Sequence, residues 1–286
     1  MLIALIYSFE QNTCNMKKIL IVSCAFLTFT FAQAQQKEGK VVYERTSQLQ
    51  ISFQGMNEEM QRMIPRSRTD KFELTFTSNH SLWKASDPEN DEEGFAGGGG
   101  DGNGIQIRMV AAGANDVLYT NFQTNKKVEQ REMFDKKFII DDSIRPLKWK
   151  LTGETKSILD HNCMKATTTQ INQRMQMTMD NGKMERKEVS DTSEVIAWIA
   201  TDIPVSAGPA EYQGQLPGLI LEMDVNNGRQ VFKATSISEK ADLAVIKEPS
   251  GKKHYTQEEF RKERDKMMEE MQRNNMGGGN RVIRIN

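Results

Sequence analysis

The stretch Gly208-Pro209-Ala210-Glu211-Tyr212-Gln213-Gly214-Gln215-Leu216-Pro217-Gly218-Leu219-Ile220-Leu221-Glu222 predicts a turn that leads directly into a strand. Proline fixes φ at about −65° and glycine tolerates positive φ, so Leu216-Pro217-Gly218-Leu219 is expected to form a type II turn with Gly218 at positive φ. The short apolar run Leu219-Ile220-Leu221 is typical of a strand with both faces covered.

These residues resemble the signature of the GLPGLI family, exported proteins of Bacteroidetes-type bacteria that have no assigned biochemical function. The resemblance rests on Gly208-Pro209 and Leu216-Pro217-Gly218-Leu219-Ile220, and on two upstream motifs, Cys163-Met164-Lys165-Ala166-Thr167 and the strand from Ala197-Trp198 to Asp202-Ile203-Pro204. Gln215 stands where the family has its first glycine, and Gly214 lies one place early. The resemblance implies export and supplies no catalytic residues.

The first 34 residues are typical of a secretory signal peptide. Met16-Lys17-Lys18 is a basic start, residues 19–31 are an apolar run too short to span a bilayer, and Ala32-Gln33-Ala34 is an A-x-A cleavage site. We therefore expect translation from Met16, and a mature protein in the periplasm or on the periplasmic face of the outer membrane. The alternative is a lipoprotein, in which Cys24 ends a lipobox.

Composition favours one large domain with no affinity for nucleic acid. The 286 residues carry a formal net charge of −1, so the basic excess that nucleic acid requires is absent from the sequence. Cys163 is the one cysteine after residue 34, so no intramolecular disulfide is expected in the mature chain. We expect a single mainly-β domain over residues 35–254, with an acidic, Gly-rich mobile loop at 86–104, and a C-terminal amphipathic helix with a Gly-rich tail over 255–286.

Period-two alternation and short β-like runs predict a mainly-β (α+β) fold: a curved antiparallel sheet or open barrel with one or two short helices and a C-terminal helix. A further strand pair is expected around Asp180-Asn181-Gly182-Lys183, because Asn-Gly is a strong hairpin turn, and Asn226-Asn227-Gly228 is expected to form the tight turn between the last two core strands. The other predicted strands cover residues 40–53, 71–76, 81–84, 105–110, 117–122, 127–133, 137–140, 147–151, 155–159, 164–169, 195–199, 219–225 and 230–237, and residues 281–285 could add one edge strand.

Two helices are predicted from apolar spacing and capping. Residues 55–64 carry methionines at helical spacing and are followed by a proline. Thr256-Gln257-Glu258-Glu259 is a capping box that starts a helix running to about residue 274. Phe260, Met267 and Met271 form its narrow apolar stripe.

A helix across the mouth of a curved sheet predicts an apolar pocket. We expect Leu219, Leu221 and Trp198 of the sheet and Met267 and Met271 of the helix to contribute to it. The preferred hypothesis is a non-catalytic envelope protein that binds an apolar ligand, a peptide or an outer-membrane partner. No cofactor is predicted.

Two alternatives remain open. Met175, Met177 and Met179 alternate along a predicted strand and offer soft sulfur to Cu(I), and His161 with Cys163 supplies half of a metal site. The sequence is therefore also compatible with a Met-rich copper-handling protein. The other alternative is a hydrolase whose site lacks a recognisable motif, since the sequence contains no Gly-x-Ser-x-Gly, His-Glu-x-x-His or P-loop pattern.

Overall fold

The computed structural model describes residues 36–49, 66–86, 94–96, 106–108, 115–133, 136–180 and 183–275. For residues 94–96, 106–108, 172–180, 183–189 and 271–275 the description is confined to the backbone. The signal peptide, the helix predicted at 55–64 and the edge strand predicted at 281–285 lie outside the described residues and stay predictions.

Strands dominate the described part of the chain. They are β1 (Gly39–Gln48), β2 (Ser67–Phe76), β3 (His80–Ala85), β4 (Gly94–Ala96), β5 (Gln106–Arg108), β6 (Val117–Asn121), β7 (Lys126–Met133), β8 (Lys136–Ser143), β9 (Lys150–Ile158), β10 (His161–Asp180), β11 (Lys183–Ala200), β12 (Ile220–Val225), β13 (Gln230–Ser238) and β14 (His254–Tyr255). Two 3-10 turns (Ala210–Tyr212 and Leu243–Val245) and one helix, α1 (Gln257–Asn275), complete the elements described.

Twelve of the strands form one sheet in the order β14-β8-β7-β6-β3-β2-β1-β13-β12-β11-β10-β9, which is not closed into a barrel. Neighbours are antiparallel apart from β14 and β8, which run parallel. The chain builds two meanders, and the antiparallel pairing of β1 with β13 joins them into one sheet. The predicted mainly-β class is thus confirmed as an open sheet with two edges, at β14 and at β9.

Alternation in the sequence explains how the strands bury one face. Phe72, Leu74 and Phe76 of β2 are buried together, as their spacing predicts. The predicted turn at residues 226–228 is confirmed, because Asn226, Asn227 and Gly228 all have positive φ and the Gly228 N–H donates to Asp224 Oδ1 at 2.6 Å. Asn and Gly adopt this backbone at little steric cost.

Several strand boundaries differ from the prediction. β1 ends at Gln48, and the Leu49 N–H donates to the Arg66 carbonyl, while residues 50–53 of the predicted strand lie outside the described residues. Inside the predicted mobile loop, residues 94–96 form strand β4, which pairs Phe95 with Ile107 of β5.

The predicted strands at 147–151 and 155–159 are one strand, β9, that begins only at Lys150. The pairing with β10 shifts between Met164 and Ala166, and Gly153 opposite this shift has φ 81°. A glycine at positive φ permits a β-bulge, so the strand bends and continues where the sequence suggested a break.

Residues 201–219 connect β11 to β12, and we call them the crossing segment. The segment packs against the buried face of the sheet, because Ile203, Val205, Tyr212 and Leu216 belong to the same core cluster as residues of β1, β2 and β13. The Ile220 N–H donates to the Ala207 carbonyl at 3.0 Å. The stretch Gly208 to Glu222 therefore covers the buried face of the sheet and also starts β12.

The predicted type II turn with positive φ at Gly218 is wrong. Positive φ occurs at Gly39, Gly153, Gly214 and Gly228 among the described glycines, and Gly218 is not one of them. Instead, a Cβ placed on Gly218 would collide with the backbone oxygen of Ala200. Glycine is needed at this position because two backbone segments approach closely, not because of its own φ.

The predicted capping box of α1 is confirmed. The Glu259 N–H donates to Thr256 Oγ1 at 3.2 Å, and the Thr256 N–H donates to Glu259 Oε2 at 2.8 Å. Phe260 is buried against Phe138 and Ile140 of β8. The helix therefore lies at the β14–β8 edge of the sheet, and the predicted placement across Leu219 and Leu221 is wrong.

Candidate functional site

On four strands, the side chains that face the core change from apolar to polar at the same end of the sheet. We call the side chains on the core face of one strand, which are two residues apart, its inward row. On β1 the buried Val41 and Tyr43 are followed at period two by Arg45 and Ser47, and on β11 the buried Val195 is preceded by Ser193 and Asp191. Similarly, Phe232 of β13 is preceded by Gln230, and Phe72 of β2 by Asp70. Because residues two apart share a strand face, these polar side chains extend the core face.

A cleft of about 300 Å³ lies at this polar end. We call it the polar cleft. Its walls come from the end of β1, the middle of β11, the end of β12, the start of β13 and the turn between β12 and β13. The lining residues are Ser47, Gln48, Asp191, Ser193, Val225, Asn226, Arg229 and Gln230. Seven of these eight residues carry hydrogen-bonding side chains, and Asp191 and Arg229 bring opposite charges to the same cleft.

An ion-pair cluster lies beside the polar cleft, one step inward along β1. Asp70 is 3% exposed, and its two carboxylate oxygens accept from Arg45 Nη2 at 2.8 Å and from Arg68 Nε at 2.5 Å. The Arg45 guanidinium also lies 4.5 Å from the centre of the Phe72 ring. Two guanidinium groups on one buried carboxylate fix the ends of β1 and β2, so the cleft has a rigid wall on this side.

The polar cleft was not predicted from the sequence, because the pocket was expected among apolar side chains. The signal was nevertheless present: the period-two row through Val195 continues into Ser193 and Asp191 without a change of phase. When the period-two alternation continues along a strand but the core-facing residues change from apolar to polar, the buried face is expected to open there to solvent or to a ligand. The sequence does not show that the polar parts of four strands lie side by side in the sheet.

The residues predicted to line an apolar pocket, where their side chains are described, divide between two separate clusters, with Leu219, Leu221 and Trp198 in one and Met267 in the other. Leu219 and Leu221 are fully buried in the main core cluster. Trp198 is half-buried on β11, with Lys156 Nζ 4.3 Å from its ring centre. Met267 packs in a separate cluster with Phe260, and Met271 lies among residues described by backbone alone.

The family-like motif residues have structural positions in the crossing segment. Gly208, Pro209 and Leu216 are buried, and Pro217 is exposed. Gln215, the departure from the family pattern, accepts from the Leu147 N–H at 3.2 Å and from Trp149 Nε1 at 3.1 Å. The Gln215 side chain thus ties the crossing segment to the chain that enters β9.

Lys165, from the upstream motif, is part of a surface ion pair. Its ammonium donates to both carboxylate oxygens of Glu154 at 3.0 Å. The pair links β10 to β9 on an exposed part of the sheet.

His161 and Cys163, two of the predicted metal residues, are not joined by a third His, Cys, Asp or Glu ligand in the described part of the chain. His161 Nδ1 lies 2.7 Å from Asp202 Oδ2. Cys163 is fully buried, and burial raises the pKa of its thiol to about 11, with the Asp202 charge adding to the effect. Among the described residues no three His, Cys, Asp or Glu side chains are grouped as metal ligands. A protonated, buried thiol is a small apolar group rather than a ligand or nucleophile.

The backbone at Met175, Met177 and Met179 belongs to β10, opposite Glu188, Arg186 and Met184 of β11. The predicted strand with alternating methionines is therefore present. Their side chains lie outside the description, so the copper hypothesis stays a prediction.

Comparison with known proteins supports a domain without an assigned activity. The family Porph_ging, described as a protein of unknown function, matches residues 149–222, which run from just before β9 through the crossing segment into β12. No curated protein matches this chain.

Two solved structures of PNGF-II are similar to the chain. The structure in the C2 space group is 18% identical with a TM-score of 0.44, and it matches 77% of this chain and 31% of its own. The P21 structure is 16% identical with a TM-score of 0.47, and it matches 79% of this chain and 32% of its own. The chain thus spans about a third of the length of these structures. In the described part of the chain, no helix has the length and apolar character to cross a bilayer.

Proposed function

We propose that this chain is an exported, non-catalytic binding protein of the cell envelope and that its polar cleft holds a polar peptide segment. The observation that supports binding is the cleft of about 300 Å³ itself, which lies where the core-facing side chains of β1, β11 and β13 change from apolar to polar. Export is supported by the basic, apolar and A-x-A pattern of residues 16–34. The GLPGLI resemblance supports the same compartment.

A peptide fits the cleft better than the apolar ligand that the sequence also suggested. Ser47, Asn226 and Gln230 supply neutral donors and acceptors, which suit the alternating N–H and C=O groups of a peptide backbone. Burying such groups is favourable only when each finds a partner, and an apolar ligand would leave them unpaired.

The test is peptide binding by protein with an open and with a filled cleft. We expect peptides selected from a random eight-residue library to bind wild type, and Ser47→Trp to weaken them at least tenfold by occupying the cleft. Lys240→Glu, an exposed change outside the cleft, is the matched control and should bind as wild type does. A library that yields no peptide sensitive to Ser47→Trp would refute the proposal.

A further inference from the structure

The hairpin of β10 and β11 extends beyond its neighbours in the sheet. β9 pairs with β10 as far as Thr167, and β12 pairs with β11 as far as Val195. From there β10 and β11 continue as a pair, without a shift of register, until Asp180 lies opposite Lys183. Among the described strands, none pairs with the other side of either strand in this part. We call the paired residues 171–180 and 183–192 the ribbon.

The ribbon places four methionines on one of its faces. Met175, Met177 and Met179 alternate along β10, and Met184 of β11 lies directly opposite Met179. Residues two apart on a strand share a face, and so do residues directly opposite each other in an antiparallel pair. We call the face that contains these four residues the methionine face.

The methionine face is opposite to the face that continues into the polar cleft. Ile171 shares the alternation of the three β10 methionines, and it is 72% exposed. Asp191, which lines the polar cleft, lies opposite Asn172, and both residues belong to the other face of the ribbon. Peptide binding in the polar cleft therefore does not account for the methionine face.

The chemistry of this face is that of thioether sulfur. Thioethers are neutral and polarisable, so they select soft ions such as Cu(I), whereas Zn²⁺ sites in proteins use thiolate, imidazole and carboxylate. The sequence has no His or Cys between residues 171 and 192. Arg186 and Glu188 are the charged residues on the methionine face, and their charges cancel. Selection at this face therefore depends on sulfur and not on net charge.

We infer that the juxtaposition of Met177, Met179 and Met184 at the tip of the ribbon is a binding site for a soft monovalent metal ion, Cu(I) or its analogue Ag(I). Directly opposed residues, as Met179 and Met184 are, have Cβ atoms about 4.5–5.5 Å apart. Met177 is two residues from Met179, or roughly 7 Å, and is the diagonal neighbour of Met184 at about 7–8 Å. An unbranched side chain with several rotatable bonds can span such distances to a shared ion.

The register excludes Met175 from this group. Met175 lies opposite Glu188, so no methionine faces it across the ribbon. It is four residues from Met179, or roughly 13 Å along the strand. From the sequence, the three alternating methionines of β10 were expected to act together, and strand pairing replaces Met175 with Met184 of β11.

Competition with a chromogenic Cu(I) chelator, under anaerobic conditions, measures the affinity of the purified protein for Cu(I). Met179→Leu and Met184→Leu should each weaken Cu(I) binding at least tenfold, whereas Met175→Leu should change it less than about threefold. Leucine keeps the volume and apolar character of methionine and removes only the sulfur. Met268→Leu is the matched control, because Met268 is a 38% exposed methionine on α1, and it should bind Cu(I) as wild type does. Zn²⁺ should not compete.

Methyl NMR of methionine-labelled protein locates the bound ion without relying on affinity. Ag(I) is the probe, because it shares the preference for sulfur and does not oxidise methionine by redox cycling. The methyl resonances of Met177, Met179 and Met184, assigned from the leucine variants, should shift on addition of Ag(I), and that of Met268 should stay in place. An ion that joins two strands also stabilises their pairing, so hydrogen exchange of ribbon amides should become slower with Ag(I) bound.

Three results would overturn the inference. They are Cu(I) binding by wild type no tighter than by the triple variant Met177→Leu/Met179→Leu/Met184→Leu, equal losses for Met175→Leu and Met184→Leu, and Ag(I) shifts that include Met268 but not Met184. Circular dichroism of each variant shows whether its sheet is intact. The proposed function is separable from this inference, since Ser47→Trp in the polar cleft should not change Cu(I) affinity, and Met184→Leu should not change peptide binding.

Discussion

The two edges of the sheet are protected by different means. The β9 edge is exposed, charged and bulged at Gly153. At the other edge, β8 carries the buried Phe138, Ile139 and Ile140, and β14 and α1 cover it. An apolar edge strand is an aggregation hazard unless something packs on it, whereas a polar, bulged edge tolerates water. Helix α1 is therefore part of the defence of β8 and not the lid of a ligand pocket.

The largest expected difference between the two edges is in the loss of folding stability when an apolar side chain is truncated to alanine. Phe138 is 4% exposed and stacks edge-on with Tyr255 and Phe260, at centroid distances of 5.3 Å. Phe138→Ala should lower the free energy of unfolding by about 3–5 kcal/mol. Leu151→Ala at the bare edge should cost less than about 0.5 kcal/mol, as for other exposed sites. Urea denaturation of both variants measures the contrast, and equal losses would contradict it.

Asp116, which directly precedes β6, should make the free energy of unfolding depend on pH. Burial raises the pKa of this carboxyl to about 6, although the Glu132 N–H and Arg131 favour the charged form. Since the folded pKa exceeds the unfolded value of about 4, the folded state holds the proton more tightly. The free energy of unfolding should therefore fall as pH rises from about 4 to 6.

Asp116→Asn should remove most of that slope and stabilise the protein at pH 7 by about 1–2 kcal/mol, a value reduced for the partial exposure of the group. Denaturation across pH 4–8 is the measurement. Asp160→Asn, on the bare side and exposed, is the control and should keep the slope. A slope that persists in Asp116→Asn would assign the pH dependence to other groups.

The substitution Gly153→Ala tests the bulge in the edge strand β9. A Cβ at this position would meet no atom within 4 Å, so the cost of Gly153→Ala comes from its φ of 81° alone. We expect about 1–1.5 kcal/mol, typical of a left-handed backbone imposed on an L-residue. Ser157→Ala on the same strand should cost less than about 0.5 kcal/mol. Equal melting temperatures for the two variants would show that the bulge relaxes.

The capping box gives the smallest effect, at the covered edge. Thr256→Ala removes the acceptor of the Glu259 N–H and should cost about 1 kcal/mol. The loss should fall on α1, so hydrogen exchange of helix amides should rise more than that of β1 amides. Thr256→Ser keeps the hydroxyl and is the control. Uniform exchange across the protein would mean that the helix and sheet unfold together.

How much of the fold the sequence predicts depends on how local each feature is. The alternation of Phe72, Leu74 and Phe76, the turn at 226–228 and the capping box at Thr256 each depend on neighbours within a few residues, and all three are confirmed. At Gly153 the sequence predicts a break between two strands and the structure has a bulge, because a glycine in a strand pattern does not reveal whether its partner strand shifts register.

The candidate site was much less predictable. The sequence placed the ligand at Leu219 and Leu221, which the crossing segment and core cluster bury completely. The polar cleft unites Ser47, Ser193 and Gln230, which are far apart in the chain. Their meeting depends on the pairing of β1 with β13 and of β12 with β11, and side-chain patterns within one strand carry no information about which strands pair.

The sequence by itself determined the strand-rich class, which side chains of each strand face the core, and where α1 starts. Strand propensity, the period-two alternation of apolar residues and helix capping each act over only a few residues. Tertiary structure decided why Gly218 is glycine, which edge α1 covers and where the polar rows converge. Each of these arises from contact between segments distant in sequence, such as Gly218 against the Ala200 carbonyl and Phe260 against Phe138. Close packing sets such contacts, and it is fixed only when the whole sheet has assembled.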